Sequence, residues 1–133
     1  SVTLVGRVVE YIEVDRGPMQ IAEERTDSVS ILSLTGRLDE LATAEVEQAF
    51  TDALNNQELA MIVDLAGVEY NSSSGLRVLL MLSKAMTKQR RALRLCNLSP
   101  FVAEVFEISN FSAMFEIYDN MDVARQGFGN GST

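Results

Sequence analysis

Apolar positions along the chain alternate between short extended runs and helical stripes. From Ser1 to Asp15, Val5, Val8, Val9, Tyr11, Ile12 and Val14 stand among charges, a pattern of extended structure that leaves the buried face open until Arg16-Gly17-Pro18 breaks it. Residues 1-18 therefore read as an N-terminal extension, either an extra edge strand, the favoured form, or a flexible leader. Met19 to Arg25 and Val29 to Thr35 read as two strands of a hairpin around Thr26-Asp27-Ser28, with Val29, Ile31 or Leu32, and Leu34 as the apolar positions. From Thr43 to Leu54, Val46, Ala49, Phe50, Ala53 and Leu54 recur at helical spacing, with Thr43 as the expected N-cap and Asn55-Asn56 as the stop.

Ala60 to Asp64 is a continuous apolar run, the signature of a strand buried on both faces. A second helix is expected from Gly75 to about Gln89, where Leu76, Leu79, Leu80 and Met86 form one stripe and Val78, Met81 and Leu82 widen it. Ala92 to Leu98 returns as a strand. Ser99-Pro100 then opens a third helix by N-cap and N1 preference, carrying Phe101, Val102, Val105 and Phe106. Met114 to Tyr118 reads as a last short strand and Asn120 as the cap of a final helix, before a glycine-rich tail at 127-133 that reads as flexible. Strands that alternate with helices need crossover connections, so the pattern predicts an α/β domain with a mixed, mostly parallel sheet and helices packed on it.

The composition narrows the function. The chain has 133 residues, 47% of them hydrophobic, enough for one compact soluble domain. A net charge of -8 disfavours direct nucleic-acid binding, which rests on Lys and Arg neutralising phosphates, and favours a basic protein partner. Direct membrane insertion is not expected, since no stretch approaches the ~18 to 20 apolar residues of a span. The single cysteine, Cys96, cannot close an internal disulfide and reads as a small buried hydrophobe, consistent with a reducing cytoplasm. Glu23-Glu24 and Asp39-Glu40 lack metal-loop spacing, so neither a metal nor another cofactor is expected.

Ser72-Ser73-Ser74 followed by Gly75 is the densest cluster of chemistry. A serine at a helix start can cap the helix, attack a substrate or carry a phosphate. The chain contains no histidine to activate a nucleophile, and Lys84 and Lys88 lie about 15 to 20 Å further along the helix by its rise. An enzyme is therefore not expected. Capping suffices for one serine, and a phosphate is locally tolerated where the helix N-terminus presents amide donors. Gly75 would let another chain's backbone approach the hydroxyl.

Leu34-Thr35-Gly36-Arg37-Leu38-Asp39, Val63-Asp64-Leu65 with Val68 and Tyr70, Ser72 through Leu80, and Phe101-Val102-Ala103-Glu104-Val105-Phe106 together resemble the STAS domain, over about Met19 to Arg125. The module occurs in anti-sigma factor antagonists and in the cytosolic tails of anion transporters. The resemblance implies a single STAS domain at 19-126 with a four- to five-stranded sheet flanked by about four helices. It also implies a non-enzymatic, cytoplasmic partner-switching regulator that captures an anti-sigma factor/serine kinase when unphosphorylated. Phosphorylation at Ser73 would break the capture and a PP2C-type phosphatase would restore it. Asp39, Ser72, Ser73, Ser74, Gly75 and Arg77 are the implied docking residues. The family more commonly has aspartate at the position of Ser72, and Asp39 has capping or a turn as its alternative role. A STAS subunit or tail of an anion or lipid transport system is the alternative function, and homodimerisation stays open.

Overall fold

The computed structural model describes residues 10–16, 19–26, 28–55, 60–71 and 73–127. Its six strands lie in chain order across one sheet. Strands β1 (Glu10–Arg16), β2 (Met19–Arg25) and β3 (Val29–Leu38) form an antiparallel meander. From β3 onward the sheet is parallel, through β4 (Ala60–Asn71), β5 (Ala92–Cys96) and β6 (Glu116–Tyr118). Helices α1 (Thr43–Leu54), α2 (Ser73–Lys88) and α3 (Pro100–Ile108) make the crossovers, a 3-10 turn spans Phe111–Met114, and α4 (Met121–Arg125) follows β6. The expected four- to five-stranded sheet is present as β2 to β6, and β1 adds a sixth strand at its edge.

The main core lies on one face of the sheet. Leu32, Leu34, Met61, Val63 and Leu95 there meet Val46 and Phe50 of α1, Leu79, Leu82 and Met86 of α2, and Val102 and Phe106 of α3. Burying each large side chain contributes roughly 1.5–3 kcal/mol. On the other face Val29, Ile31, Ala60, Ile62 and Cys96 pack around Ala124 of α4. The central strands are thus covered on both sides, which is why Ala60 to Val63 reads as an unbroken apolar run.

Several boundaries differ from the sequence reading for identifiable reasons. The run expected to end at Asp64 continues to Asn71, because a register shift between Ser33 and Thr35 lets β4 follow β3 past Asp64. Gly67 makes that close approach: a Cβ there would lie 2.7 Å from Thr35 Oγ1 and 2.9 Å from the Leu34 carbonyl oxygen. Gly36, at φ 127°, carries β3 past Thr35 to Leu38 in a conformation that side-chain-bearing residues rarely adopt. β5 stops at Cys96 because Asn97 turns left-handed at φ 61°; its amide donates to Asp64 Oδ1 at 3.2 Å and its backbone N–H to the Tyr118 carbonyl at 3.3 Å. The last strand starts at Glu116, the residues before it being taken by the 3-10 turn.

Caps account for the helix starts. Ser99 Oγ accepts from the Val102 N–H at 3.3 Å with Pro100 in the first turn, and Asn120 Oδ1 accepts from the Val123 N–H at 2.9 Å, as the sequence predicts. Thr43 is not the cap of α1: its hydroxyl donates to the Asp39 carbonyl at 2.9 Å, and Ala42 occupies the cap position. No helix among the described residues is long and apolar enough to cross a membrane. Of the tail expected at 127-133, residues 128–133 lie outside the described residues, as do residues 1–9, 17 and 18 of the extension.

Candidate functional site

All four parallel strands end at the same edge of the sheet, where open α/β sheets commonly place their sites. Leu38, the last residue of β3, is paired with Asn71, the last of β4. Asp39 follows the first and Ser73 lies two residues beyond the second, so the register brings the β3–α1 loop and the start of α2 side by side. The sequence alone places these residues more than thirty positions apart.

Ser73 is the first residue of α2 and is exposed, Ser74 is half-buried, and Arg77 is exposed. Ser72 lies outside the described residues. The helix begins two residues earlier than its apolar stripe suggests, which puts Ser73 inside the first turn, where amide donors lack helical partners. Gly75 is buried. It shares an inward stripe with Leu79, Leu82 and Met86 at helical spacing, so it does not lie open to another chain's backbone as the sequence reading supposes.

The outward face of α2 is a different set of residues. Ser73, Arg77, Met81, Lys84 and Lys88 are all exposed and fall within about 80° of one another around the helix. On a chain of net charge -8, that arc carries three cations and one apolar side chain, Met81, at 43% exposure.

Asp39 organises the neighbouring loop. Its Oδ1 accepts from the backbone N–H groups of Leu41 at 3.0 Å and Ala42 at 3.3 Å, and its Oδ2 stands 3.7 Å from Arg37 Nε. This is the turn-forming role that the residue type also allows. The turn presents Leu41 at 81% exposure. Leu41 is absent from the residues singled out by sequence; its signal there is a large apolar residue between Glu40 and Ala42 that fits no helical stripe.

The edge and the outward face of α2 that runs away from it therefore offer a hydroxyl at a helix start, a fixed carboxylate, two exposed apolar side chains and a row of cations. Among the described residues no group of three potential metal ligands occurs. The arrangement suits reversible contact with another protein, and it suits addition of an anionic group to Ser73.

Comparison with known proteins identifies relatives of the whole domain. The STAS domain family model matches residues 20–124. BtrV of Bordetella bronchiseptica, named as a candidate anti-sigma factor antagonist, is 31% identical over 83% of this chain and 95% of its own length. An anti-sigma factor antagonist from Mycobacterium paratuberculosis superposes with a TM-score of 0.70 at 23% identity, covering 80% of this chain and 90% of that one. The Bacillus cell fate determinant SpoIIAA, solved in a phosphorylated form, gives a TM-score of 0.62 at 20% identity over 78% of this chain and 94% of its own. On a match that spans most of its length and a fold shared with anti-sigma factor antagonists, the chain belongs to the STAS domain family.

Proposed function

We propose that the protein is an anti-sigma factor antagonist that works by partner switching in the cytoplasm. In its unphosphorylated form it holds an anti-sigma factor that is also a serine kinase, and phosphate on Ser73 ends that hold. A PP2C-type phosphatase resets the switch. The chain itself performs no catalysis in this scheme; the partner kinase supplies the base and ATP.

The observation that carries this reading is the exposed Ser73 in the first turn of α2, beside the Asp39 loop on the same sheet edge. Around it, Leu41 and Met81 supply apolar contact, while Asp39, Ser74 and Arg77 supply polar contact. Gly75 lies buried in the same first turn. A phosphate on Ser73 adds about -1.5 to -2 charges at a surface that must desolvate to close. Arg77, one helical turn on, is placed to pair with that phosphate, which would withdraw the cation from the partner at the same time. Relatives support the scheme: the curated ones are named for antagonism of anti-sigma factors, and SpoIIAA has been solved in both unphosphorylated and phosphorylated forms.

Incubation with the cognate kinase and ATP, followed by mass-spectrometric mapping, tests the assignment. One phosphate on Ser73, lost in Ser73→Ala, is the expected result. Modification at Ser74 instead, or no modification by the cognate kinase, contradicts it.

A further inference from the structure

The ends of β5 and β6 continue the same sheet edge, and between them and α3 lies a cleft of about 360 Å³ that the serine surface does not use. Leu98, Phe115 and Ile117 form its apolar walls over the fully buried Phe106, while Glu107 and Asp119 bring carboxylates to it. The rings of Phe106 and Phe115 meet at a tilt, with centroids 5.7 Å apart. Both carboxylates are exposed, and neither has an ion-pair or hydrogen-bond partner among the described residues.

Apolar walls, the partly exposed ring of Phe115 and two free carboxylates are complementary to one side chain above others. An arginine lays its methylene stem along apolar surface, stacks its guanidinium on an aromatic ring and donates in a planar fork to carboxylates. The protein uses the same combination internally on the opposite sheet face. There the Arg94 guanidinium lies 5.0 Å from the Tyr118 ring centroid, and its Nε donates to Glu116 Oε1 at 3.1 Å. The surroundings point to an arginine borne by a protein rather than a free small cation. Met114, on the 3-10 turn between the cleft-lining Ser112 and Phe115, is a large hydrophobic at 52% exposure. An exposed apolar side chain beside the cleft gives contact surface to an arginine carried on a chain, which a free cation would leave unused.

We propose that this cleft is a second docking site, taking an arginine side chain from a segment of a partner protein between Glu107 and Asp119. The site goes beyond the serine switch, since it needs neither Ser73 nor its phosphate.

Titration of isotope-labelled protein with the peptide Ac-Leu-Arg-Leu-NH2, followed by amide chemical shifts, tests it. The expected result is saturable shifts at Ala103, Glu107, Ile117 and Asp119. Binding should weaken about tenfold when citrulline, isosteric but uncharged, replaces arginine in the peptide. The Glu107→Gln/Asp119→Asn protein should show the same loss while keeping its melting temperature, and Ser73→Glu should leave the titration unchanged. Equal binding of the citrulline peptide, or no saturable shift at the cleft, overturns the proposal. So does a shift of the same amides on dilution without peptide, which would put a second copy of the chain in the cleft.

Discussion

Asp39 and Asp64 each hold a bend with one carboxylate oxygen. Asp39 Oδ1 ties down Leu41 and Ala42, while Asp64 Oδ1 accepts from the Ala66 N–H at 3.0 Å and from Asn97 at 3.2 Å. The second carboxylate has a titratable neighbour. Burial, with the Asp64 charge as the smaller cause, pushes the Cys96 thiol up to about 12. In the unfolded chain a thiol ionises near ~8.5, so between that value and about 12 the folded state binds more protons than the unfolded one. Stability from this group is therefore complete below about 8.5 and declines as pH rises through that window, by up to ~1.4 kcal/mol per pH unit. Urea denaturation of the protein and of Cys96→Ala between roughly pH 8 and pH 10.5 should show the gap between the two changing at this slope. Parallel curves would mean that the thiol ionises alike in both states.

Among the elements, α4 is held less by packing than by one side chain. It buries only Ala124, while Arg94 Nη1 donates to the carbonyls of Ala124 at 2.8 Å and Gln126 at 2.6 Å, and Arg125 Nη2 lies 3.6 Å from Glu24 Oε2. Arg94→Ala should cost about 1–3 kcal/mol by urea denaturation, since it leaves carbonyl acceptors without their charged donor. In the same variant, hydrogen exchange at the amides of Ala124 and Gln126 should accelerate before the rest of the sheet does. Unchanged protection in α4 would show that Arg94 is not its anchor. Elements whose signal is local were legible in the sequence. The bounds of α1 follow from the spacing of Val46, Ala49, Phe50 and Ala53, and the starts of α3 and α4 from the Ser99 and Asn120 caps. The second half of β4 was not legible. Its bulge puts Leu65 and Val68 in the same core three positions apart, which breaks the two-residue period by which a strand is read.

Taken as a whole, the molecule gathers its candidate site at one edge of the parallel half of a mixed sheet while covering the central strands on both faces. Ser73 and Arg77 could be singled out by sequence because they sit in one short motif. Their alignment with Asp39 could not be derived from the composition or the period of any segment, since it depends on the pairing of Leu38 with Asn71. Leu41 escaped for a related reason: its exposure is set by the Asp39 turn, and an isolated leucine in a sequence reads equally well as core. In the proposed scheme, phosphate on Ser73 switches this edge between holding and releasing a partner. Calorimetric titration of the cognate anti-sigma factor with unphosphorylated protein and with protein phosphorylated at Ser73, with melting temperatures taken on both, decides the point. Phosphorylation should weaken binding by roughly hundredfold or more while the melting temperature barely changes. Equal affinity of the two forms, or a loss of binding that follows a collapse in melting temperature, would contradict it.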